Sequence, residues 1–192
     1  MNQLLEWLSG GDLRSDGLAD EVVAFVLEHP ELADDLAEGL DAADDVIRGR
    51  TADALEKIGR SRPDLVVGFL PKLVDTARSD RVPMVKMHLA MLLGHLALYG
   101  EHRHSLTSAL LDLLDDESVF AKSWAIVSLC IIARKYPAER EQIVIRIAQL
   151  EPGASAAIRS RIRKALILLA NENAPFPKGW IKSEHLAVLD QA

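Results

Sequence analysis

"SVFAKSWAIVSLCIIARKY", residues 118–136, is apolar almost all round a helical wheel. Within its centre, "SWAIVSLCIIA", only Ser123 and Ser128 are polar. Such a stretch reads as a helix packed on both sides, because a surface helix keeps one polar face. Three other stretches fall in register with it. They are "DDVIRGRTADALEKIG" from 44, "VPMVKMHLAMLLGHLALYG" from 82 and "SAAIRSRIRKALILLANE" from 155. Stacked on one basic residue, Arg48, Lys86, Lys122 and Arg159 coincide at intervals of 38, 36 and 37. Seven positions later come Leu55, Leu93, Leu129 and Leu166; ten positions later come Ile58, Leu96, Ile132 and Leu169. Offsets of seven and ten share one helical face, so these columns are a core stripe.

A second marker gives the same period. Pro30, Pro63, Gly100, Pro137 and Pro175 are spaced by 33, 37, 37 and 38 residues. Pro30, Pro63 and Pro137 each open a shorter helical pattern, where a missing N–H costs nothing. "EHRHSLTSALLDLL" follows Gly100 in the same place. The reading is a stack of helix pairs, in which each pair needs its neighbours to bury its apolar face. The pairs span 30–62, 63–100, 101–136 and 137–174, with N-terminal cap helices at 1–29 and a C-terminal cap at 175–192, all in one domain. Phe176 and Trp180 are expected to sit on the last pair. Arg50, Asp53, Glu56 and Lys57 keep the first long helix polar, as suits a helix near one end.

Composition agrees. The 192 residues are 49% hydrophobic and only 5% aromatic, and Leu and Ala, good helix formers, dominate. No apolar run reaches the roughly 18 residues that would cross a bilayer, and the N-terminus has no signal-like pattern. The single cysteine, Cys130, reads as a buried, inert thiol. A cytoplasmic protein that does not engage a membrane is the expectation. Net charge is −7 but uneven. Residues 1–80 hold 8 basic and 18 acidic side chains, whereas residues 119–182 hold 11 basic and 4 acidic. Such asymmetry can steer a charged partner.

The long helices resemble the inner helices of HEAT repeats, the paired-helix units of curved solenoids. That family often carries an Asp in the turn within a repeat and an Arg or Lys six residues later. Asp80 precedes Lys86 by six, and Asp116 precedes Lys122 by six. Ala42 and Gly153 hold the Asp position in the other two repeats, where Asp44 and Ser155 read as N-caps. The resemblance spans residues 30–171 and implies an all-α, right-handed α-solenoid of about four HEAT-like helix pairs with helical caps. It argues fold rather than function.

Candidate binding residues follow from two adjacent columns. The ladder column is Arg48, Lys86, Lys122 and Arg159. Two residues further on lie Arg50, His88, Trp124 and Arg161. Arg163 and Lys164 add two cations beyond what a ladder requires. Cations beside an aromatic suit an acidic surface or peptide of another protein, or alternatively phosphates and a stacked base. No phosphate loop, nucleophile elbow or dinucleotide fingerprint occurs. Glu101, His102, His104, His88 and His95 show no strict metal spacing, so neither a metal nor another cofactor is expected. A non-catalytic protein-binding scaffold is the leading expectation. The alternative is nucleic-acid binding in the manner of the DNA alkylation repair glycosylases, which use similar repeats, though none of their site motifs matches here.

Overall fold

The computed structural model describes residues 2–190, and among them the chain is helical with no strand. Two helices come first, α1 (Gln3–Leu8) and α2 (Ala19–Glu28). Short and long helices then alternate: α3 (Ala33–Ala37), α4 (Asp45–Ser61), α5 (Leu70–Ser79), α6 (Pro83–His95), α7 (Arg103–Asp112), α8 (Val119–Lys135), α9 (Arg140–Gln149) and α10 (Ala156–Ala170).

The boundaries follow from local chemistry. Pro30, Pro63 and Pro137 each begin a tight 3-10 turn leading toward a short helix, and Gly100 begins an equivalent one. A proline pushes the residue before it out of the α region. His29, Arg62 and Tyr136 accordingly sit near φ −127°, −130° and −125° with ψ of 70°, 66° and 87°, and each ends a helix. Three of the four long helices start at side-chain caps, and α6 starts at Pro83. Asp44 accepts from Val46 N, Ser118 from Ala121 N and Ser155 from Ile158 N.

The long helices pack in chain order, α4 on α6, α6 on α8 and α8 on α10. Short helices α3, α5, α7 and α9 each lie against the long helix that follows. Helices α1 and α2 cover α4. The in-register columns form the core. Leu55, Leu93, Leu129, Ile58, Leu96 and Ile132 are fully buried, while Leu166 is half-buried on the last long helix. At the α6–α8 contact, small side chains permit close approach. A Cβ on Gly94 would fall 2.4 Å from Ser128 Oγ, which donates to the Ala90 carbonyl at 2.7 Å.

Two features differ from the sequence expectation. First, residues 171–190 do not add a half repeat. They contain no α-helix and return across all four long helices. Trp180 lies beneath Arg161 of α10, and Arg134 of α8 donates to the carbonyls of Ala174 and Leu189. Ser183 bonds to His95 of α6, and His185 reaches the Arg60 carbonyl of α4 at 3.1 Å. Phe176 accordingly meets α8, under the Arg134 guanidinium, while Trp180 meets the last long helix. The apolar girth of α6 and α8 serves this strap as well as the neighbouring helices. The expected cap limits at Met1 and at residues 191–192 lie outside the described residues. Second, the polar residues of α4 are not an exposed end. Arg50, Asp53 and Glu56 are buried.

Candidate functional site

The ladder cations pair across helix pairs. Arg48 Nε donates to Asp80 Oδ2 at 2.7 Å, and Lys86 Nζ to Asp116 Oδ2 at 2.5 Å. In both rungs the other carboxylate oxygen accepts a backbone N–H of its own turn, Val82 at 2.7 Å and Ser118 at 2.8 Å. Each Asp therefore ties the start of its long helix to the preceding one. The next acid position is Gly153, so the third rung is missing. Lys122 has no carboxylate partner among the described residues. It borders a groove with Glu117 and, at the start of α10, Gly153, Ser155 and Ile158. Among the described residues, the guanidinium of Arg159, at the end of the series, donates only to the Ala154 carbonyl, at 2.5 Å.

The second column splits in character along the molecule. Arg50 is only 5% exposed. Its guanidinium donates to the carbonyls of Leu8, Ser9, Gly10, Asp12 and Ser15. It is the hub of the 9–17 turn and not a free cation. That turn needs glycine: Gly17 has φ +58°, and a Cβ there would strike Arg50 Cζ at 2.6 Å. His88 is likewise buried, beside Asp53. Trp124 is half-buried and meets two cations, Arg161 at 5.8 Å and Lys182 Nζ at 4.6 Å from the ring centre.

Arg161 has no carboxylate within pairing distance among the described residues. Its Nε donates to Ser123 Oγ at 3.0 Å, and its guanidinium lies between the Trp124 and Trp180 rings. Burial lowers its basicity, and burial does the same to Lys182. Arg163 and Lys164 are exposed and make no hydrogen bond or ion pair among the described residues. Arg159, Arg163 and Ile167 recur every four residues along one exposed face of α10. Ile167 is 64% exposed. Lys122 and Trp124 thus lie on α8 and Arg161, Arg163 and Lys164 on α10, with Arg161 against Trp124, whereas Arg48, Arg50 and Lys86 are engaged within the fold and His88 is buried.

Sequence reasoning missed a buried polar cluster between α4, α6 and the strap. Ser183 Oγ lies 2.8 Å from His95 Nδ1, and His95 Nε2 lies 2.8 Å from Glu56 Oε1. Glu56 also accepts from Arg60. Burial alone would raise the Glu56 pKa, but hydrogen bonds from His95 and Arg60 outweigh it and hold the carboxyl down to about 2. Burial depresses His95, so its ring is neutral, donating to Glu56 and accepting from Ser183. The order hydroxyl–imidazole–carboxylate matches a nucleophile relay, yet Ser183 is only 1% exposed and Glu56 fully buried. In this packing the chain of bonds fastens the strap. Next to it, a cavity of about 290 Å³ opens on Asp53, Lys57, His88, Met84 and Met87.

The remaining candidates are quieter. Cys130 is fully buried, and burial raises its thiol pKa far above the ordinary value. His102 and His104 stand at the surface near Glu101 and Glu139. No helix among the described residues is long and apolar enough to cross a membrane. No protein-family model matches the chain, and no curated protein matches it either.

Proposed function

We propose that the chain is an α-solenoid of HEAT-like helix pairs acting as a non-catalytic binding module for an acidic segment of another protein. Chain-order packing of the long helices, recurrent caps and ion pairs that cross from one pair to the next support the solenoid. The binding reading rests on one observation, the break in the ladder. Arg48 and Lys86 are neutralised by turn aspartates, whereas Lys122, in a groove with Glu117 and Gly153, makes no ion pair among the described residues. Arg161, Arg163 and Lys164 on α10 likewise have no carboxylate partner among the described residues, and the exposed Ile167 shares a face with Arg163 and Lys164. Carboxylates of a partner supply what the third rung lacks. The free, buried Cys130 suits a reducing cytoplasm.

The indole of Trp124 between two cations favours a second reading, nucleic-acid binding, since bases stack on such surfaces. Fluorescence anisotropy with a labelled Glu/Asp-rich peptide, a DNA duplex and a DNA single strand, each across a salt series, separates the two. The module reading expects the peptide to bind more tightly than either DNA. DNA binding with a steep salt slope that flattens in Arg163→Ala/Lys164→Ala would replace it with the second reading. No binding of any probe at low salt rejects both.

A further inference from the structure

We propose that Asp53, Glu56 and His88 form a binding site for a divalent metal ion of the zinc class. Asp53 and Glu56 stand three apart on α4 and so share a face, and His88 projects from the adjacent α6. One ligand atom from each lies within 4.8 Å of the others. Metal–ligand bonds of about 2.0–2.2 Å place neighbouring ligands roughly 3.5 Å apart, so modest side-chain rotation closes the set.

One atom above all points to a missing ligand. His88 Nδ1 and Asp53 Oδ2 are buried without a hydrogen-bond partner, on residues 9% and 7% exposed. Asp53 Oδ2 has Lys57 Nζ at 2.8 Å as an ion-pair partner, which leaves His88 Nδ1 as the atom of the two with no partner. His88 Nδ1 faces Asp53 Oδ1 at 3.5 Å, too far for a good bond. Folded proteins rarely leave buried polar atoms unpaired without a reason. A cation between these groups would give His88 Nδ1 the partner it lacks.

The surroundings suit such an ion. Burial depresses the His88 pKa, which leaves the ring neutral with a lone pair to offer. Lys57 is also held by Asp20 at 2.5 Å and faces Asp16 at 3.6 Å, so it keeps partners when Asp53 turns to a metal. Arg60 and His95 orient the Glu56 carboxylate, as outer-shell donors do in metal sites. The adjoining cavity leaves room for water as a fourth ligand. One nitrogen and two carboxylates from three side chains fit zinc-like ions. Calcium would require six to eight oxygens. The site is independent of the basic face on α8 and α10, and either stands if the other fails.

The test is titration of chelator-treated full-length protein with Zn²⁺ by calorimetry and with Co²⁺ by absorption spectroscopy. One equivalent per chain is expected, with the intense visible bands of four-coordinate Co²⁺, and affinity at least tenfold lower in His88→Ala. His102→Ala/His104→Ala is expected to bind as the parent protein does. If His88→Ala does not fold, imidazole NMR of the parent protein decides: His88 resonances are expected to shift on adding Zn²⁺ and those of His102 and His104 to stay. Absence of stoichiometric binding, binding that survives loss of His88, or shifts confined to His102 and His104 would each overturn the assignment.

Discussion

The two halves of the long-helix layer use the same register for opposite ends. On α4 and α6, Arg48, Arg50 and Lys86 are bound by turn aspartates or by carbonyls. On α8 and α10, Lys122, Arg161, Arg163 and Lys164 have no carboxylate among the described residues, and Arg161 has only Ser123 and two indole rings. A basic residue in a repeat is therefore not a binding residue by virtue of its column. What decides is whether the next turn supplies an acid. Asp80 and Asp116 do; Gly153 does not.

The sharpest way to break this contrast is at Arg50. Arg50→Ala leaves five carbonyls of the N-terminal turn without their donor and is expected to cost about 3–5 kcal/mol in urea unfolding, because five hydrogen bonds from a charged group are lost at once. A loss below about 1 kcal/mol would mean Arg50 is not the hub described above.

Acid should act on the same half next. Glu56 is depressed from 4.5 to about 2, so its contribution is complete above pH 4.5 and is lost as pH falls from there toward 2. At 1.36 kcal/mol per unit this amounts to roughly 3 kcal/mol. His95 is also depressed, so its contribution is full above its ordinary value of 6.5 and starts to fade as pH drops through it. Urea midpoints across pH should show both declines, and Glu56→Gln should make the one below pH 4.5 shallower, leaving the smaller contributions of depressed Asp12, Asp45 and Asp64.

Smaller changes sharpen the ladder itself. Asp116→Ala loses both the Lys86 rung and the Ser118 N–H bond and is expected to cost about 1–2 kcal/mol. Gly153→Asp supplies the missing acid, and a Cβ at Gly153 meets nothing within 4 Å. It should change stability by no more than about 0.5 kcal/mol while weakening acidic-peptide binding, since Lys122 then has an internal partner.

Periodic features were legible because they rest on local rules. Pro30, Pro63 and Pro137 stop and start helices through sterics, Asp44 and Ser155 cap them, and the Leu55 and Ile58 columns need only helical spacing. The strap was not legible. Residues 171–190 carry no helical period, and their anchors, Ser183 on His95 and His185 on Arg60, join residues 88 and 125 apart. Arg50 was misplaced for the same reason, as its acceptors lie 35 to 42 residues upstream. One signal for the polar cluster was present. Glu56 shares its register with Gly94, Cys130 and Ile167, so a charge intrudes into a column that is otherwise small or apolar. A charge buried at such a position must be paired, and His95 and Arg60 pair it.

The division between engaged and available cations is tested most directly by calorimetric titration of an acidic peptide into Lys122→Ala/Arg163→Ala/Lys164→Ala. Affinity is expected to fall at least tenfold while the unfolding midpoint stays that of the parent protein. Unchanged affinity in a folded triple variant would contradict the claim that the missing rung leaves a binding surface.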